Sequence, residues 1–160
     1  MTYMLSSKAL HTMNMDEVCS SCKGGYFHIA PTITKVAIIN LGMQKETFMD
    51  MANMKYSLNV FDEDFSLKQL NMVPHDAVFI SNGTIEAEKM SMIVDKIKSL
   101  IGKKKILGVG LGQALIKEAA AQVGIEAWEQ EGNMLINQAD KLYCCDVNQQ
   151  NYLEEIMKYL

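Results

Sequence analysis

The chain contains no arginine. All 15 of its basic residues are lysine, so the planar guanidinium fork that clamps phosphates and carboxylates through paired bonds is not available to it. Positive charge is scarce overall: the net charge is −4, which argues against a nucleic-acid partner, since that function calls for a basic face. It gives no cue for an anionic membrane surface either. Long apolar runs are also missing. None approaches the roughly 20 residues of a membrane-spanning helix, and the N-terminal stretch MTYMLSSKALHTMNMDEV has no apolar core of the secretory kind. These absences predict a cytoplasmic location, where the four cysteines stay reduced. With two prolines and no repeat, the chain shows no linker or low-complexity segment.

What remains is an ordinary globular composition. Hydrophobic residues make up 49% and charged residues 21% of 160 positions, enough for one domain with a sizeable core. Methionine is frequent, at 13, and reads as adaptable core filler.

Residues 1–31 carry few signals and are expected to form an N-terminal extension. Ser6-Ser7 suits a short helix through Met13, and Asp16-Glu17 another turn. Residues 32–160 carry the domain. Lys35–Leu41 (KVAIINL) reads as a strand buried on both faces. Lys45–Tyr56 reads as a helix, Ser57–Phe61 as a strand, and Ser66–Met72 as a single helical turn. Ala77–Ser81 is a third strand that ends at Asn82-Gly83. Glu86–Ile101 is the clearest helix, apolar at Met90, Ile93, Val94, Ile97 and Ile101. A fourth strand leads through Gly108, Gly110 and Gly112 straight into a helix that runs to Val123. Beyond Gly124 the pattern weakens. Ile125–Glu129, Met134–Ile136 and Lys141–Asp146 are strand candidates, and a final helix capped by Asp146 or Asn148 runs to Leu160.

Strands alternating with helices predict an α/β fold: a doubly wound, mostly parallel sheet with helices on both faces, of the flavodoxin-like kind. Ligands of such sheets sit beyond the C-terminal strand ends. Asn82, Gly83, Gly110, Leu111, Gly112 and Gln113 gather there and are the candidate ligand-binding residues.

Those strand ends also resemble a known family. Gly108–Leu115 (GVGLGQAL) is similar to the nucleophile elbow G-I-C-L-G-H-Q-L of class I glutamine amidotransferases. Ser81-Asn82-Gly83 is similar to the start of their S-N-G-P-G-D-P loop. Lys35–Gly42 resembles the V-V-x-x-D-F-G strand that opens this domain in the small chain of carbamoyl phosphate synthase, and Tyr26–Ile29 resembles the segment before it. The resemblance runs from about Tyr26 to Val123 in the family's order. It implies an amidotransferase-like domain over 32–160, truncated at its C-terminal end.

The chemistry does not carry over. The family's nucleophilic Cys aligns with Gly110, leaving no catalytic residue at the elbow. Thr84 and Ile85 follow Gly83 where the family has Pro-Gly. Gln113 stands at the family's His, and Ala114 at the Gln that contacts substrate. The family's base is a His near the C-terminus, whereas His11, His28 and His75 all precede this elbow. The expectation is a degenerate, catalytically inactive module. It would bind a synthase-type or other protein subunit, or a small ligand, in an open space beside Gly83, Gly110 and Leu111. The alternatives are a working glutamine-hydrolysing subunit similar to the carbamoyl phosphate synthase small chain, and a flavodoxin-like nucleotide or flavin module.

No cofactor or metal is expected. The glycines read G-x-G-x-G after the fourth strand rather than G-x-G-x-x-G after the first. A tight turn and close helix packing explain them better than a dinucleotide, even with Glu131 placed for a ribose. Cys19-x-x-Cys22 has zinc spacing, but completing four ligands with Cys144-Cys145 is awkward, because strand neighbours point to opposite faces; one of the two is expected to be buried. Asp62-Glu63-Asp64 reads as a solvated acidic turn rather than a Mg²⁺ site.

Overall fold

The computed structural model describes residues 33–147 and 152–160. The helix signals at Ser6 to Glu17, the Cys19–Cys22 pair, Tyr26–Ile29, His11, His28 and the Asn148 cap lie outside them.

The elements follow in order: β1 (Lys35–Ile39), α1 (Lys45–Asn53), β2 (Ser57–Phe61), α2 (Leu67–Met72), β3 (Ala77–Ile80), α3 (Ala87–Leu100), β4 (Lys105–Val109), α4 (Leu111–Gln122), β5 (Glu129–Glu131), β6 (Met134–Asn137), β7 (Leu142–Cys145) and α5 (Tyr152–Met157). The strands form one sheet in the order β2-β1-β3-β4-β7-β6-β5. Five of them, β2, β1, β3, β4 and β7, run parallel; β6 and β5 return antiparallel as a hairpin.

Both faces of β1, β3, β4 and β7 are covered, and the strand residues alternate between them. Ala37, Ile39, Val78, Ile80 and Ile106 pack against Leu70 of α2, Ile93 and Ile97 of α3, and Ile116 and Ala119 of α4. Val36, Ile38, Phe79, Leu107 and Val109 pack against Met51 of α1 and Ile156 and Met157 of α5. Burial on both faces explains why these strands read as continuous apolar runs.

Most element ends have local causes. Asn40 stops β1 two residues earlier than the apolar run suggests, because its Oδ1 accepts hydrogen bonds from the Gly42 and Met43 amides at 3.0 and 2.8 Å. Lys55 ends α1 by adopting φ 69°. The helical turn at Leu67–Met72 is fixed by a capping box: Ser66 Oγ accepts from the Gln69 amide at 3.1 Å, and Gln69 Oε1 from the Ser66 amide at 3.2 Å.

The C-terminal third departs from expectation. Ile125–Trp128 is not a strand. Ile125 and Trp128 instead pack against the core from the loop, which Asn137 anchors by donating to the Ala127 carbonyl at 3.0 Å. The strand there is the polar Glu129–Glu131, paired with β6 across the two-residue turn Gly132-Asn133. The described part of the final helix is Tyr152–Met157, so it ends three residues short of Leu160. Cys144 and Cys145 are both buried, one on each face of the sheet, so the expectation that only one would be interior is corrected. Burial raises the Cys144 thiol pKa well above its ordinary value and pushes Cys145 up to about 12, so both stay protonated and unreactive near neutral pH.

Candidate functional site

The chain leaves β1 toward β2 on one side of the sheet and returns to β3 on the other, so strand order reverses between β1 and β3. Ligand crevices of doubly wound sheets open at such a reversal. The loops at this edge are Asn40–Met43 after β1, Ser81–Glu86 after β3, and the Gly110 turn after β4.

Ser81 joins the first two loops. It is 0% exposed; Oγ accepts from the Leu41 amide at 2.8 Å and donates to its own loop at the Asn82 carbonyl, 2.9 Å away. The Thr84 amide donates back to the Leu41 carbonyl at 3.1 Å. Ser81→Ala should therefore leave a buried Leu41 N–H without its partner and lower stability by about 1–3 kcal/mol, readable as a fall in urea midpoint with no change in slope. Nothing in the residue pattern selects Ser81 for this role. It reads as an ordinary strand-end serine, and only the loop pairing reveals its work.

Gly83 lies against the β1 loop. A Cβ there would sit 1.9 Å from the Leu41 carbonyl oxygen. Gly112 is buried in the first turn of α4, where a Cβ would lie 2.1 Å from the Ile80 carbonyl oxygen. Gly112 thus lets α4 approach β3 and presents no side to solvent. Gln113 is half-buried on the next position of the same turn.

Gly110 forms the apex between β4 and α4, with φ 58° and ψ −113°. This is a sharp strand-to-helix turn in a region that residues with a side chain seldom occupy. The space beside it is not open. A Cβ at Gly110 would fall 2.3 Å from Asn82 Oδ1 and 2.6 Å from its Cγ, and the same Oδ1 accepts a hydrogen bond from the Leu111 amide at 3.0 Å. The open space expected beside Gly110 is filled by the Asn82 carboxamide. Asn82 thereby supplies the acceptor that a first-turn amide of α4 needs. Asn82, Gly110 and Leu111 form one contact group, while Gly83 and Gly112 serve backbone approach on either side of it.

Among the described residues no histidine accompanies this group. His75 precedes β3 and so belongs to the opposite end of the strands; its Nδ1 lies 2.8 Å from the Val73 carbonyl. Cys145 meets the turn only through its backbone, its carbonyl accepting from the Gly110 amide at 3.1 Å, while its thiol stays in the core. Among the described residues no group of three or more His, Cys, Asp or Glu side chains is placed to hold a metal. Glu63 and Asp64 pair with Lys89 at 2.5 and 3.6 Å, and Glu131 lies on the β5 edge, where the Tyr159 hydroxyl donates to it at 3.3 Å.

No protein-family model matches the chain. It is similar to the carbamoyl phosphate synthase small chain of Clostridium perfringens, 32% identical over 103 residues, which is 64% of this chain and 30% of that protein. The Clostridium acetobutylicum small chain is 26% identical over 93 residues, 58% of this chain and 26% of that one. The fold matches a candidate GMP synthase subunit from Thermoplasma acidophilum with TM-score 0.58 and 12% identity, covering 81% of this chain and 93% of that one. The domain is class I glutamine amidotransferase-like. The chain spans under a third of the length of the curated small chains it matches. Among the amidotransferase-like domain's described helices, none is long and apolar enough to cross a membrane.

Proposed function

We propose that this amidotransferase-like domain is catalytically inactive and serves as a binding subunit. The observation that carries the reading is the state of the elbow. Gly110 keeps the strained backbone of a nucleophile turn, yet it offers no side chain. The Leu111 amide follows the apex, where such elbows place an oxyanion-stabilising donor, and Asn82 Oδ1 already occupies it. A glutaminase needs a nucleophile, a base and a free donor for the developing oxyanion. The first is absent at the apex, the third is engaged, and the described residues place no histidine at this edge. Loss of the nucleophile by itself removes most of the catalysis in such sites.

The partner we assign is a synthase-type subunit. The matched relatives are themselves named as small chains of a synthase, which supports a subunit role. The test is ammonia release and covalent capture. The purified chain, incubated with glutamine alone and with a carbamoyl phosphate synthase large subunit, should release no ammonia above the uncatalysed background, and mass spectrometry should find no glutamyl adduct. Ammonia at an enzymatic rate, or a glutamyl thioester on any cysteine, would overturn the reading.

A further inference from the structure

We infer that β2 is a self-association edge, through which two copies of this chain pair antiparallel and continue their sheets into one.

Among the described residues the sheet has two edges, and they are built differently. β5 is three residues long and carries Glu129 and Glu131, both exposed. Short, charged edges of this kind discourage further pairing. β2 is five residues long and reads SLNVF, with no charge, proline or glycine. Its outer side lacks the features that usually block an added strand.

The hydrogen bonds of β2 show which groups are free to pair. The Ser57 amide donates to the Thr34 carbonyl at 2.9 Å, and the Asn40 amide donates to the Phe61 carbonyl at 2.8 Å. With the parallel register of Ser57 to Phe61 on β1, Ser57, Asn59 and Phe61 turn their backbone groups inward. Leu58 and Val60 turn theirs to the outer edge, because strand amides alternate sides. A two-fold antiparallel pairing that satisfies these groups sets Leu58 opposite Val60 of the second copy and Asn59 opposite its own counterpart at the axis.

That register also pairs the charges. It sets the turn before β2, which carries Lys55, at the same end of the paired strands as the second copy's Asp62 to Asp64 turn. Asp62 to Asp64 carry three carboxylates, and Lys89 neutralises only one unit of that charge. Lys55 is exposed at the other end of the strand, so each copy supplies both halves of the match. Val60, 50% exposed despite its strand position, would be covered by the added strand.

Analytical ultracentrifugation of the full chain should show the 17.9 kDa species giving way to twice that mass as concentration rises. Val60→Lys and Lys55→Glu should each weaken association at least tenfold, while Val123→Lys, beyond the far end of α4, leaves it unchanged. Asn59→Cys places two thiols at a close, non-hydrogen-bonded antiparallel position, so mild oxidation with oxidised glutathione should yield a covalent dimer that the unsubstituted chain does not form. A chain that stays monomeric at every concentration would overturn the proposal. So would dimers indifferent to Val60→Lys, or failure of Asn59→Cys to cross-link in a chain that still dimerises.

Discussion

Gly112→Ala should lower the stability of the domain sharply, against the expectation from helix propensity. In an isolated helix the change would be favourable by about 1 kcal/mol, because alanine restricts the unfolded chain and suits the helix better. Here the added methyl would sit 2.1 Å from the Ile80 carbonyl oxygen and 2.7 Å from its carbon. Both are backbone atoms of a central strand, so neither can rotate away. α4 would have to lift off β3, and overpacking of that kind costs typically about 1–3 kcal/mol. With the obstacle held by the sheet, the upper end is expected. A loss of about 3 kcal/mol corresponds to a Tm fall on the order of 6–12 °C for a domain of this size. Thermal unfolding followed by circular dichroism decides the sign; a variant as stable as the parent would mean that α4 does not pack this closely.

Gly110→Cys should restore neither a stable elbow nor an activity. The new side chain meets two obstacles. The φ of 58° and ψ of −113° place a residue with a Cβ in a sparsely populated region, at a cost of about 1–3 kcal/mol. The Cβ also overlaps the Asn82 carboxamide, which must give up its bond to the Leu111 amide. Unlike the Ile80 carbonyl, Asn82 is an exposed side chain that can swing out. The two sites should therefore couple: adding Asn82→Ala to Gly110→Cys should recover part of the loss, with an interaction energy of about 0.5–3 kcal/mol in a double-mutant cycle. The double variant should present a thiol at a helix N-terminus, where the thiolate is favoured. It should react with iodoacetamide faster than the buried Cys144 and Cys145. Ammonia release should stay at background in both variants, since no histidine among the described residues stands at this edge to complete the chemistry. Additive destabilisation in the cycle would show that Asn82 does not fill the turn in solution.

Much of the fold was legible in the residue pattern. Runs such as KVAII, AVFI and KILGV are apolar almost throughout because each strand is covered on both faces, and two-sided burial is a property of the run itself. Alternation of these runs with amphipathic helices forces parallel crossovers, so the layer order followed. The hairpin of β5 and β6 was harder, because EQE at an exposed edge has no apolar signature. Its signal was the Gly132-Asn133 pair, a two-residue turn sequence that the neighbouring apolar Ile125–Trp128 stretch obscured. That stretch is apolar for a different reason: it packs as a loop.

The site divides along the same line. Residue order alone determined that glycine stands at the apex of a strand-to-helix turn, that no histidine follows it, and that no arginine is available anywhere, because these are statements of composition and position. Which groups surround the apex depended on contacts across long sequence separations, between Asn82 and Leu111 and between Ser81 and Leu41. A single strand end cannot encode them; they arise when the sheet sets β1, β3 and β4 side by side. The tertiary structure therefore decided that the space at Gly110 is closed by an asparagine. It also decided that Gly83 and Gly112 serve close backbone approach, and that the longer, uncharged edge of the sheet is β2. Local pattern reports burial and turn propensity, whereas occupancy of a site is a property of the strands the sheet brings together.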